Sequence, residues 1–159
     1  MDEIILKPTY LIIAEAEVGQ HEIKNGENER IVAYHATTTL KATDDETPWC
    51  SSFVNWCVTQ AGFKGTNNAL AKSWLKWGVE LAKPDLGCIC VIKQHKAESD
   101  NSTGTSTGYH VAFWLGEVDG RVKLLGGNQS DQVKISTFGL KSYDIIGYRI
   151  PKETVATGG

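Results

Sequence analysis

The chain has 159 residues, of which 41% are hydrophobic and 22% charged, and its formal net charge is −3. This composition is ordinary for one globular domain and argues against a disordered chain. The small negative charge, with no basic run, gives no electrostatic reason to bind nucleic acid or an anionic membrane. No stretch has the apolar length of a membrane span, and the N-terminus lacks a secretory signal, so we expect a protein made in the cytoplasm.

The first half of the sequence predicts helices. Pro8 to Gly19 carries a broad apolar face between a starting proline and a terminating glycine. Arg30 to Tyr34 fits either a short helix or a strand, and Thr37 to Glu46 fits a connecting loop. Thr47 to Gly62 is the helix with the clearest boundaries, and Ala69 to Gly78 predicts a third helix.

The second half predicts strands that are too close together for helical crossovers. Asp119-Gly120 is a hairpin signal, Gln94 to Gly108 is a long polar loop, and Lys152 to Gly159 is a frayed tail. Helices followed by closely spaced strands indicate a single α+β domain, residues 1–159 with a core of about 8–151, in which N-terminal helices pack on a C-terminal antiparallel sheet. The predicted strands are Cys88–Lys93, Tyr109–Val118, Val122–Leu125, Val133–Ile135 and Ile145–Ile150.

Cys50 lies in the first turn of the best-bounded helix, on its apolar stripe. Unpaired backbone N–H groups and the positive end of the helix dipole favour a thiolate there, which is the nucleophilic form of cysteine. The alternative interpretation is a small buried hydrophobic residue, as most free cysteines are. The four cysteines lack the spacing of a zinc site, and reduced thiols are expected. We therefore expect neither a metal nor another cofactor.

His110 opens the most apolar predicted strand, and alternation places it on one face with Ala112 and Trp114. A hairpin at Asp119-Gly120 would bring Asn128 roughly opposite this histidine, where its amide could orient the ring. A strict two-residue turn would instead bring Gln129 there, so Asn128 requires a longer turn or a bulge. A structural histidine and a simple Gly-Gly-Asn turn are the alternatives.

Together, these residues have the chemistry of an acyl-transfer site. Cys50 would be the nucleophile, with its own backbone N–H as an oxyanion donor, and His110 would take its proton. Asn128 would fix the imidazole. Pairing with the histidine would further lower the pKa of the thiol.

Four segments resemble the CHAP and NlpC-like cysteine peptidases, over a region from about Pro8 to Pro151. They are Thr-Pro-Trp-Cys-Ser-Ser-Phe-Val-Asn-Trp-Cys, Ser-Trp-Leu-Lys-Trp-Gly, His-Val-Ala-Phe and Leu-Gly-Gly-Asn-Gln. The resemblance implies a papain-like fold, with Cys50 and His110 as the catalytic pair and Asn128 as the polar third residue. Cys88 and Cys90 depart from the expected pattern, as does the long loop after Gln94.

The resemblance also implies a function, namely hydrolysis of an amide bond in the peptide of bacterial peptidoglycan by an endopeptidase or an N-acetylmuramoyl-L-alanine amidase. Such relatives are phage lysis or tail enzymes or interbacterial toxins that act in the periplasm or cell wall after delivery, and an immunity protein or a phage lysis partner can accompany them. A non-catalytic wall-binding or phage structural module is the alternative. Substrate-groove candidates are Trp49, Ser51, Trp74 and Trp114.

Overall fold

A computed structural model describes residues 7–23, 28–38, 49–95 and 108–152 of the chain. Its helices are α1 (Thr9–Ala16), α2 (Glu29–His35), α3 (Cys50–Gln60) and a 3₁₀ helix (Ala71–Lys76). Its strands are β1 (Val79–Leu81), β2 (Ile89–Gln94), β3 (Tyr109–Val118), β4 (Arg121–Gln129), β5 (Gln132–Gly139) and β6 (Tyr143–Ile150).

The strands described form one antiparallel sheet in the order β1-β6-β2-β3-β4-β5. β3 and β4 are joined by the two-residue turn Asp119-Gly120, which pairs Val118 with Arg121. Both turn residues have positive φ, as a tight hairpin turn requires. β3 therefore lies in the interior of the sheet, between β2 and β4.

The two faces of the sheet bury different sets of side chains. The helix-side face packs against α1, α2 and α3 and includes Val111 and Phe113 of β3. The far face has a smaller cluster that includes Ala112 of β3 and Phe138 of β5. Successive residues of a strand point to opposite faces, so β3 contributes to both cores.

The α+β class and the antiparallel sheet in one domain are confirmed. The segment expected to form a third helix is the 3₁₀ helix, and it is followed by β1, which was not predicted. Gly78, with φ of +64°, turns the chain into β1 where a Cβ would lie against the Ile150 carbonyl oxygen. Only glycine tolerates both the positive φ and the close carbonyl oxygen, so the helix ends before this residue.

Several predicted features lie outside the described residues. They are Thr47 and Pro48 at the start of the central helix, most of the loop after Gln94, and all but the first residue of the C-terminal tail. None of the helices in the described ranges is long and apolar enough to cross a membrane.

Candidate active site

The structure places Cys50 at the first residue of α3, where it is only 2% exposed. Burial raises the pKa of its thiol to about 11, although the backbone N–H groups of Val111, Ser51 and Cys50 itself lower it. The N–H groups at the helix start thus lower the pKa as expected, but burial outweighs them. Removing the sulfur from water costs the anion more than these N–H groups return, so this environment favours the neutral thiol.

The direction of the N–H groups along β3 explains how the sulfur meets Val111. Trp114 donates its N–H to the carbonyl of Cys88, and Gly108 accepts the N–H of Gln94. The even-numbered residues of this segment therefore direct their backbone N–H and carbonyl groups towards β2. The intervening residues of an antiparallel strand point the other way. The N–H of Val111 is therefore directed towards β4.

β3 and β4 part before they reach this point. Their pairing runs from the hairpin turn as far as Phe113 opposite Leu125 and does not continue to Val111 in the described strands. The backbone N–H of Val111 is the group outside α3 that lowers the pKa of the Cys50 thiol, so the sulfur lies near it. Cys50 is thus beside the gap where β3 and β4 are no longer paired.

His110 is fully buried, and its ring lies on the far face of the sheet. The ring centroid is 5.6 Å from that of Phe138, which belongs to the far-face cluster, and Nε2 is 2.9 Å from Oε1 of Gln129. The ring shares this face with Ala112 and Trp114, as alternation predicted, but it lies away from the helix that carries Cys50 and is buried, so the expected approach through a cleft is not seen. The sulfur of Cys50 and the ring of His110 therefore lie on opposite faces of the sheet.

Gln129, the residue that a strict two-residue turn would bring opposite His110, makes the hydrogen bond to its ring, and Asn128 precedes it on β4. β3 bulges between Trp114 and Gly116, and the β4–β5 pairing shifts between Gly126 and Gln129. Asn128 lies in the second irregularity with φ of +60°, and it is 2% exposed. The signal for Gln129 was present in the sequence, because a two-residue turn favours it.

Gly127 explains why β4 can pass so close to the start of α3. A Cβ at this position would lie 2.7 Å from Cβ of Phe53 and 2.7 Å from Cζ3 of Trp49. Both distances are too short for a real contact, so only glycine allows this strand to rest on the start of α3. The second glycine of Leu-Gly-Gly-Asn-Gln is therefore part of the site's packing.

The predicted groove residues do not form an open groove. Trp49, Ser51 and Trp74 are fully buried, and Trp114 is half-buried on the far-face side of the sheet. Trp74 donates its indole N–H to Oγ of Ser51 at 2.9 Å. The three buried side chains thus support the first turn of α3 from within the core.

A second set of polar contacts surrounds the same turn and was missed at the sequence level. Trp49 donates its indole N–H to the carboxylate of Glu22 at 2.7 Å. Nδ1 of His35 and Oγ of Ser52 are 2.9 Å apart, and both residues are fully buried. These contacts tie the start of α3 to α2 and to the segment after α1, and no sequence spacing indicates them.

Among the described residues, no three His, Cys, Asp or Glu side chains come together as metal ligands would. Neither the models of known protein families nor the sequences of curated proteins match this chain. The geometry around Cys50 and the resemblance of its motifs are therefore the two observations that bear on function.

Proposed function

We propose that the chain is a papain-like cysteine amidohydrolase of the CHAP and NlpC-like type that cleaves an amide bond in the peptide of bacterial peptidoglycan. The observation that carries this proposal is the position of Cys50 at the first residue of α3, where the backbone N–H of Val111, the residue after His110, lowers the pKa of its thiol. The proposed nucleophile and the strand that carries the proposed base are thus neighbours, and acyl transfer would require the two side chains to meet. The substrate class is supported by the motif resemblance alone.

In the proposed mechanism the thiol is neutral until the substrate arrives. His110 removes the thiol proton while the sulfur attacks the carbonyl carbon, and the resulting oxyanion is held by backbone N–H groups that include that of Cys50. The imidazolium then donates its proton to the departing amine as the C–N bond breaks. Water, deprotonated by the same imidazole, hydrolyses the thioester and restores the thiol.

The proposed setting follows the same resemblance. The enzyme would act in the periplasm or cell wall after delivery by a phage or a secretion system. An immunity protein or a phage lysis partner would then accompany it. Neither nucleic acid nor membrane insertion has a part in this proposal.

A test compares Cys50→Ala with Cys57→Ala, which makes the same change seven residues further along the same helix. Both proteins and the unchanged chain are incubated with purified peptidoglycan, and new amino groups are measured. We expect Cys50→Ala to lower their release by about a thousandfold or more, whereas Cys57→Ala keeps most of it. Full activity of Cys50→Ala would refute the proposal.

One observation favours the non-catalytic alternative, in which the fold serves as a wall-binding or phage structural module. Cys50 is 2% exposed and His110 is fully buried, which suits packing better than chemistry. Binding to insoluble peptidoglycan, with no turnover by the intact reduced protein and no effect of Cys50→Ala on that binding, would establish this alternative.

A further inference from the structure

A cavity lies where β2 begins and β6 ends, beside the start of α1. Its volume is about 470 Å³, and it is lined by Lys7, Pro8, Tyr10, Asp85, Leu86, Cys88 and Ile150. None of these residues belongs to the candidate active site. The volume falls within the range of sites that bind small molecules.

The turn before β2 is fixed against the start of α1. Gly87 has φ of +82°, and a Cβ there would lie 2.8 Å from Cγ of Pro8, so only glycine allows the two segments to pack this closely. The N–H of Gly87 donates to the carbonyl of Trp114 at 2.7 Å, and that of Cys88 donates to the carbonyl of Asp85 at 3.0 Å. The two walls of the cavity, α1 and this turn, are therefore preformed.

Tyr10 presents an unpaired hydroxyl to this cavity. The residue is only 5% exposed, and its ring stacks on that of Phe113 at 5.7 Å and meets that of Phe63 edge-on at 6.1 Å. Within the described ranges the hydroxyl makes no hydrogen bond, yet its oxygen is not enclosed by protein atoms. Burial, followed by Cys88 and Asp85, raises the pKa of Tyr10 to about 12. The hydroxyl thus lies near two residues that line the cavity and keeps its proton at neutral pH.

The start of α1 adds two more unpaired donors. In the part of the chain that the structure describes, no side chain caps this helix, and the N–H groups of Thr9 and Tyr10 have no acceptor. These groups point back along the helix axis towards Lys7 and Pro8, at the positive end of the helix dipole. The ammonium of Lys7 pairs with Glu15 at 2.9 Å and has further N–H groups to donate. This wall of the cavity therefore favours a carboxylate.

The opposite wall carries the opposite charge. Asp85 is exposed, and among the described residues its carboxylate has no ion-pair or hydrogen-bond partner. Cys88 adds no charge, because burial raises the pKa of its thiol to about 11. Pro8, Leu86 and Ile150 supply the apolar part of the lining. The cavity therefore complements a molecule that has a carboxylate, an ammonium group and an apolar side chain.

We propose that this cavity binds a small zwitterion with an apolar side chain, either a free amino acid or a short peptide. Its carboxylate accepts from the Tyr10 hydroxyl and from the unpaired N–H groups at the start of α1, and the Lys7 ammonium lies on the same wall. Its ammonium group pairs with Asp85. The inference does not depend on the proposed function, since the cavity shares no residue with the candidate active site.

Calorimetric titration of the full chain tests the class of ligand. The probes are L-leucine, leucylleucine, N-acetyl-L-leucine, which lacks the ammonium group, and L-leucinamide, which lacks the carboxylate. We expect L-leucine or leucylleucine to bind at least about tenfold more tightly than either blocked compound. The tighter of these two distinguishes a free amino acid from a peptide. Failure of both to bind, or equal binding of the blocked compounds, would overturn the proposal.

Matched variants test the named contacts. Tyr10→Phe removes only the hydroxyl, and Tyr109→Phe makes the same change at the far end of β2, where Tyr109 pairs with Lys93. We expect Tyr10→Phe to weaken binding of the tighter probe by about 5- to 10-fold and Tyr109→Phe to match the unchanged chain. Asp85→Asn should abolish the preference over N-acetyl-L-leucine, whereas Asp119→Asn, in the β3–β4 turn, should keep it. Equal effects of the two tyrosine variants would overturn the assignment.

Amide NMR spectra separate this cavity from the candidate active site. The tighter probe should shift the signals of Leu86 and Cys88, which belong to the cavity, and leave those of Cys50 and Ser51 unchanged. Shifts at Cys50 and Ser51 without shifts at Leu86 and Cys88 would overturn the proposal. If the unchanged chain releases no amino groups from peptidoglycan, the proposed function fails, and this binding site is still supported by its own measurements.

Discussion

Alkylation of Cys50 by iodoacetamide should be slow at neutral pH and should accelerate steeply with alkalinity. Only the thiolate reacts, and burial raises the pKa of this thiol to about 11 from the ordinary value of 9.0. Two pKa units correspond to a thiolate fraction about a hundredfold lower at pH 7. The rate should therefore rise about tenfold per pH unit from pH 7 to beyond pH 10.

Mass spectrometry can follow this reaction residue by residue in the folded chain. Fragment ions separate Cys50 from Cys57, which is fully buried on the same helix and reports global opening of the protein. We expect Cys50 to react faster than Cys57 at each pH, because its sulfur lies beside the gap between β3 and β4. A labelling rate that has already reached a plateau below pH 7 would show a preformed thiolate and refute the reasoning from burial.

Three further predictions concern stability. Gly127→Ala should lower the free energy of unfolding by about 1 to 3 kcal/mol in urea titrations, because the new Cβ would overlap Phe53 and Trp49. Gly139→Ala should change it little, because a Cβ there would contact only the end of the Arg121 side chain. The free energy of unfolding should fall between about pH 9 and pH 11, because over this range the thiol of Cys50 ionises in the unfolded chain but keeps its proton in the folded one. Below pH 9 the stabilising contribution of this thiol is fully present. Cys50→Ala should therefore make the fall in stability between about pH 9 and pH 11 less steep. Trp74→Phe should lower the free energy of unfolding by about 1 to 3 kcal/mol, because buried Ser51 loses the indole N–H that it accepts. Trp77→Phe should lower it less, because the indole N–H of Trp77 donates to the Lys64 carbonyl at an exposed site. An equal loss of stability in the two variants would contradict a special role for the Trp74–Ser51 hydrogen bond.

The elements of the fold were predictable where short-range patterns determine them. The Pro8 and Gly19 signals bracket α1, and Asp119-Gly120 gives the hairpin. β1 was not predictable, because its pairing with β6 depends on a contact between residues far apart in the sequence. Local periodicity also cannot separate a 3₁₀ helix from an α-helix over one or two turns.

The site shows the same division between local and long-range information. The helix position of Cys50 and the strand position of His110 were predictable, and so was the grouping of His110 with Ala112 and Trp114 on one face. That this face is the one away from the helices was not, because it depends on which side of the sheet the helices cover. Which of Asn128 and Gln129 comes opposite His110 depends on irregularities in two strand pairs, which the sequence indicates only as a double glycine. The pKa of Cys50 follows from burial, which no motif specifies.

The most direct test of the account is an intact-mass spectrum of the protein, quenched in acid during incubation with peptidoglycan fragments. We expect a fraction of the chains to have a mass increased by that of the acyl portion of the peptide. The adduct should lie on Cys50 and should be missing from Cys50→Ala. Release of amino groups with no such adduct, or with the adduct on another residue, would contradict the proposed nucleophile.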